Sequence, residues 1–340
     1  VVEGVGFMQP SDHNIIYDYA SVVDRMGLTD RIAAPMTGIE ISPVVTHVGA
    51  YGIPYDPLAP AGGAPTIAQE EDGFWRGLTI AELVQTARDM GAEIIQMNHP
   101  KQDTSGYFTH SGYGALTDIT TLDQGSWTSD FDALEVYNNQ WSFCTVFADW
   151  MGLLNQGLRI TGVGNSDTHS IGAPAGYPRN YMPTMAAASH QVARAEIVGA
   201  MRSGQVTVGG GAVLDFPEGP LPGDELTVDE GMISVRVRLR TPPYAQLTQL
   251  LVVYNGIIVQ TIELSANREA IVDFDERIEV STPVDGHLVF LATGDRSLEY
   301  IRPGRGVFAF SNPIWIDVDG GGVTPVGVGE VSIPQIGFCN

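Results

Sequence analysis

Lysine is almost missing from this chain: Lys101 is the only one among 340 residues. Lysine and arginine together number 17 against 40 aspartates and glutamates, for a formal net charge of -23. Such a surface repels nucleic acid and anionic membranes, because both are polyanions. Its plain use is solubility. Cysteine is also scarce. Cys144 and Cys339 are far apart and form neither a metal-binding pair nor a redox motif. Cys144 lies in the apolar stretch WSFCTVFADW and reads as a buried small residue. No run of about 18 or more apolar residues occurs, so no segment reads as a membrane span. The opening residues, VVEGVGFMQPSDHN, lack the basic start and apolar stretch of a signal peptide.

The chain is long enough for two domains. Up to about residue 210, strand-like and helix-like segments alternate. Thr79 to Met90 reads as a helix: Thr79 and Glu82 form a capping box, Leu83, Ala87 and Met90 an apolar stripe, and Gly91 a stop. The strand AEIIQM ends in Asn98-His99-Pro100, and the strand Ala133 to Tyr137 ends in Asn138-Asn139. A helix through Phe147 to Leu154 leads to a strand at Leu158 to Val163, which ends in GNSDTH. Ala193 to Met201 is a further helix. This rhythm predicts an α/β fold with a largely parallel sheet or barrel, whose active site lies past the C-terminal strand ends. From residue 211 the pattern changes. ISVRVRLR alternates as a half-buried strand does, and LTQLLVVYNGIIVQTIEL reads as a hairpin about Asn255-Gly256. The expected division is therefore an α/β domain over 1–210 and a β-sandwich over 211–340.

Four of the seven histidines stand in polar clusters at or near strand ends: His13 in SDHN, His47 in THVGAYG, His99 in NHP and His169 in SDTH. Asp12, Glu40 and Asp167 accompany them. Histidine with carboxylate suits zinc, manganese or iron, and the lack of thiolates argues against a purely structural zinc site. Asp167 and His169 are two apart, so on an extended segment both side chains point the same way. Asp12 and His13 are adjacent and point apart, which predicts His13 as the ligand and Asp12 acting from a second position. Pro100 predicts an extended His99. Each cluster taken singly has a bland reading as a capping pair, a turn or an exposed acid. Four of them in one α/β domain are harder to attribute to coincidence. His110, His190 and His287 fit ordinary roles better, and DVDGGG at Asp317 to Gly322 reads as a Gly-rich turn rather than a calcium loop.

The series SDHN, TGIE, a histidine shortly after, NHP, LEVYN and GNSDTH, in this order, resembles the PHP (polymerase and histidinol phosphatase) superfamily. ARDMGAEIIQMNHP, FDALEVYN and GYPRNY are most similar to its carbaryl-hydrolase-like branch. The resemblance covers roughly residues 1 to 215. It implies a distorted (β/α)7 barrel followed by a β-sandwich, with two or three divalent ions, zinc, manganese or iron, at the strand ends. His13, Glu40, His47, His99, Asp167 and His169 would be ligands, with Glu40 bridging. Glu135 and Asn138 would support the site. Arg179 would bind substrate or stabilise developing negative charge, or else be an ordinary loop ion pair. Asp12 or a site histidine would move a proton. The implied activity is hydrolysis of an ester, either a phosphoester or a carboxyl or carbamate ester, in a small-molecule substrate. The alternative is a binding module that kept the scaffold and lost the chemistry. The family carries an HxH motif on its first strand, and this chain has none; an upstream segment or second chain is expected to supply it. The acidity and scarce lysine point to an extracytoplasmic location.

Overall fold

The computed structural model describes residues 4–138, 142–170, 175–228, 231–265, 271–298 and 302–336. In chain order the elements are β1 (Asp12–His13), α1 (Tyr19–Arg25), β2 (Gly38–Ile41), β3 (Val48–Tyr51), β4 (Ala68–Glu71), β5 (Phe74–Gly77), α2 (Ile80–Asp89), β6 (Ile94–Met97), α3 (Tyr107–Ser111), β7 (Ala133–Tyr137), α4 (Phe143–Asn155), β8 (Thr161–Gly164), β9 (Arg179–Tyr181) and α5 (Arg194–Ser203). Strands alone follow: β10 (Thr207–Gly210), β11 (Val213–Asp215), β12 (Glu225–Thr227), β13 (Met232–Arg240), β14 (Gln249–Tyr254), β15 (Ile257–Glu263), β16 (Val272–Ser281), β17 (Gly286–Leu298), β18 (Arg302–Ser311) and β19 (Ile314–Asp317). The fold is mixed α/β, mostly strand, with five α-helices among the described residues. No helix there is long and apolar enough to cross a membrane. Two compact units divide the chain, one drawn from 1–113, 120–135 and 183–202, the other from 114–119, 136–182 and 203–340.

In the first unit the sheet order is β1-β2-β3-β6-β7. Pairing is parallel at β1–β2 and β6–β7 but antiparallel at β2–β3 and β3–β6. The sheet is thus mixed where the sequence pattern predicted a largely parallel one. The loop from Ser42 to His47 is the reason. It is too short for a parallel crossover, which needs a dozen or more residues, so β3 runs against both neighbours. β2, β3, β6 and β7 are buried throughout, as strands covered on both faces are. α2 buries Ile80, Leu83, Val84 and Ala87, and its capping box forms as predicted: Thr79 accepts from the Glu82 amide while Glu82 accepts from that of Thr79.

In the second unit, α4 is buried at every position except Thr145. Phe143, Phe147 and Trp150 pack on Phe310, and Tyr137 stacks on Phe308 at 4.1 Å. Cys144 lies buried on α4, while Cys339 is outside the described residues. A large sheet runs β12-β19-β17-β18-β10-β9, with β14 and β15 joined to it through β17. A smaller one runs β11-β13-β16. The predicted hairpin is β14–β15; Asn255 (φ 51) and Gly256 (φ 78) supply the two left-handed residues such a turn requires. β13 alternates as expected, with Val235, Val237 and Leu239 inward and Arg236, Arg238 and Arg240 outward. Those arginines pair with Asp275, Glu218 and Asp215.

Candidate metal centre

One end of the first unit's sheet gathers four of the candidate ligands. β1 and β2 pair in parallel with His13 beside Glu40. His47 immediately precedes Val48, which pairs with Ile41 on one side and Met97 on the other. His99 follows Met97 by two residues. Because β3 is reversed, the start of β3 meets the ends of β2 and β6. The β2–β3 hairpin and the distant end of β6 therefore deliver their polar residues to one place.

Glu40 is the floor of the site. One of its oxygens, Oε1, lies 2.9 Å from His47 Nδ1 and 3.1 Å from His99 Nε2. Its other oxygen is 3.6 Å from His13 Nδ1, which also contacts Ser42 Oγ at 2.6 Å. Side-chain exposure rises outward from 5% at Glu40 to 10% at His99, 20% at His47 and 44% at His13. The group is thus open on the His13 side. Burial alone would push the Glu40 carboxyl up, but hydrogen bonds from His47, His99 and Asn98 outweigh it and hold the group well below the usual carboxylate range. A buried carboxylate beside two imidazoles is a donor set for a divalent transition metal. The spacing fits as well. Two donors about 2.1 Å from a common ion stand about 3.0 Å apart in octahedral and 3.4 Å in tetrahedral geometry, close to the separations seen here. Glu40, His47 and His99 could hold a metal ion.

Buried neighbours fix this arrangement. Gln96 donates to Asn98 Oδ1 at 2.7 Å, which leaves the Asn98 amide nitrogen to face Glu40. The Asn98 backbone N–H donates to the carbonyl of His47. Tyr51 is hydrogen-bonded to Ser11 and Gln96; burial first, then the charges of Glu135 and Glu40, push its hydroxyl up so that it stays protonated. Glu135 accepts the backbone N–H of His99. The extended conformation predicted for His99 is not adopted. Its φ is 26, in the left-handed region, where the Glu135 carboxylate captures its amide. Asn14, at φ 54, clamps the end of β2 by accepting from the Ser42 amide at 2.8 Å and donating to the Ser42 carbonyl. Sequence reasoning gave no role to Asn14, Ser42, Tyr51, Gln96 or Asn98. The available signal was a glutamine inside the otherwise apolar stretch Ile94 to Met97.

Asp12 shares β1 with His13 but has a different partner: it accepts from the Tyr19 hydroxyl at 2.8 Å. Burial, then this bond and charge, raise that hydroxyl to about 12. In the second unit Asp167 and His169 pair with each other. His169 Nδ1 lies 2.9 Å from the Asp167 carbonyl and 3.2 Å from its carboxylate. The segment is not the extended run predicted, since Asp167 has φ 44, in the left-handed region. Arg179, on β9, donates from Nε to the Gly176 carbonyl at 2.7 Å. Asn138 follows β7, and Asn139 lies outside the described residues. Asp285, Asp317 and Asp319 also come together. Their oxygens are engaged by backbone N–H groups of Val318, Gly320, Gly321, Gly322 and Thr324, as in a Gly-rich turn. His110 is exposed, His190 half-buried in a short turn, and His287 fully buried.

No protein-family profile matches the chain, and neither the curated proteins nor the solved structures contain a match to it.

Proposed function

We propose that this chain is a metal-dependent hydrolase that cleaves an ester bond, a phosphoester or a carboxyl or carbamate ester, on a PHP-type (β/α)7 barrel. The convergence of His47 and His99 on one buried oxygen of Glu40 carries the reading. The ordered motif series of the sequence supports it. Two or three ions of zinc, manganese or iron are the expected complement. When bound, they would supply Lewis acidity, activating a water and polarising the ester oxygen. The protein's part is to hold the donors. Asn98 hydrogen-bonds Glu40, His99 is pinned through its backbone by Glu135, and His47 through its carbonyl by Asn98. His13 stands at the open rim as a further ligand. Asp12 keeps one carboxylate oxygen beyond its bond to Tyr19 with which to take up a proton. Asp167 and His169 remain ligand candidates as a preformed pair, and Arg179 the candidate for stabilising negative charge. An extracytoplasmic location, which the acidity and scarce lysine favour, belongs to the same reading.

Elemental analysis of the purified protein tests the proposal. Stoichiometric zinc, manganese or iron, lost in His99→Ala, is the expected result and would justify screening phosphoesters and aryl esters. Failure to retain any of the three after loading would refute the hydrolase and leave a binding module on the same scaffold.

A further inference from the structure

The β4–β5 hairpin has no part in the metal centre. Its two strands pair only with each other, and the turn between them uses Asp72 (φ 51) and Gly73 (φ 83). Every residue from Gln69 to Trp75 is exposed. Phe74 is 78% exposed and Trp75 76%. A two-stranded sheet with nothing packed on it is marginal in water, and aromatic rings left this open contribute little to a core. The two open rings stand on opposite faces of the hairpin, so each face presents one of them.

The register tells what the hairpin presents. Glu70 lies directly opposite Trp75, and Ala68 opposite Gly77. Residues opposite each other, and those two apart, share a face. One face therefore carries Trp75 and Glu70 above two small residues, and a Cβ added at Gly77 would meet nothing within 4 Å. The indole is open along its flank with a carboxylate beside it. Glu70 makes no ion pair among the described residues. On the other face, Glu71 lies opposite Phe74 but is engaged by Arg76, which also binds Glu82 and fastens the hairpin to α2. Asp72 at the tip adds a third consecutive acid.

An aromatic face beside a free carboxylate suits a guanidinium, which stacks on the ring while its N–H groups reach the acid. We infer that the β4–β5 hairpin docks an extended, arginine-bearing segment of a partner protein. Charge selects that occupant. A second copy of this chain would bring the same acidic tip and a net charge of -23, and an anionic membrane would be repelled. Neither β4 nor β5 pairs with a third strand among the described residues, so an extended peptide would gain main-chain hydrogen bonds beyond Ala68 and Gly77, whose backbone groups are engaged by Thr66 and Arg76.

The test uses the full chain and a fluorescently labelled peptide of alternating arginine and serine, at roughly physiological ionic strength where diffuse attraction is screened. Anisotropy gives the affinity. Trp75→Ala leaves the charge unchanged, so its effect isolates the ring. Both Trp75→Ala and Glu70→Gln are expected to weaken binding about tenfold or more, while Glu330→Gln, an exposed acid elsewhere, leaves it unchanged. Circular dichroism unaltered by the substitutions would show that the fold is intact. Equal binding by wild type and Trp75→Ala would overturn the proposal, since the peptide would then be responding to net charge alone. So would no binding, or a dimer in sedimentation that Trp75→Ala abolishes, which would make the aromatic tip a self-contact.

Discussion

Glu40 and His99 stand 59 positions apart in sequence, yet the imidazole Nε2 lies 3.1 Å from the carboxylate, and His47 reaches the same oxygen. The contact exists because β3 is reversed between β2 and β6. Glu40→Gln keeps the shape but removes the negative charge that the two imidazoles share. Titration with zinc or manganese, followed calorimetrically, is expected to show affinity falling at least about 100-fold, as loss of a direct ligand does beyond the 10–100-fold typical of a supporting residue. Unchanged affinity would mean that these three residues do not form the metal site.

Glu135 offers a separate handle, because it accepts the backbone N–H of His99. Glu135→Ala leaves that amide without its acceptor and is expected to cost about 1–3 kcal/mol of stability and, by freeing the left-handed turn at His99, about 10–100-fold in metal affinity. Glu135→Gln keeps a carbonyl oxygen in place and should restore most of both. Denaturant melts and metal titrations on the two variants give the comparison. Equal losses in both would show that the carboxylate charge, rather than the acceptor, matters.

How much of this was legible in the sequence follows from what each signal depends on. The α2 capping box, the Asn255-Gly256 hairpin and the alternation of β13 are local, set by residues within a few positions, and all appear as read. The direction of β3 is not local. The polar residues around it suggested a loop at a strand end, which is correct, but nothing in THVGAYG states that the strand runs backwards. The same limit applies to Gln96, Asn98 and Tyr51. A polar side chain in a buried strand announces that it has a partner, not which one, and the partner becomes visible only when β3 and β6 lie side by side. Left-handed backbone at His99 was masked by Pro100, whose steric bias is real but weaker here than the capture of the amide by Glu135.

The local reading of α2 carries its own test. Thr79 caps the helix, and Glu82 both completes the box and holds Arg76 at 2.8 Å. Thr79→Ala is expected to cost about 1 kcal/mol, and Leu83→Ala, fully buried on the same helix, about 2–5 kcal/mol. Urea unfolding monitored in the far ultraviolet measures both. If Thr79→Ala proved neutral, the Glu82–Arg76 pair would be holding the helix start without the cap.

His287 sets an acid limit on the second unit. Its ring is buried, with Nε2 2.9 Å from Asn155 Oδ1, and burial pushes its pKa down to about 3 from 6.5. The ring is therefore neutral in the fold, donating to Asn155, and becomes charged only on exposure. The unfolded chain binds this proton first, so stability contributed by the neutral ring is intact above pH 6.5. It declines as the pH falls from there toward 3, by about 1.4 kcal/mol for each pH unit. A carboxylate with a lowered pKa also loses stability on acidification, but below the unfolded carboxylate range, so the two effects separate between pH 6.5 and 5. His287→Gln can keep a donor to Asn155 without a titrating group. Across that window the wild-type denaturation midpoint should fall while that of His287→Gln stays level. Parallel curves would place the acid sensitivity elsewhere in the chain.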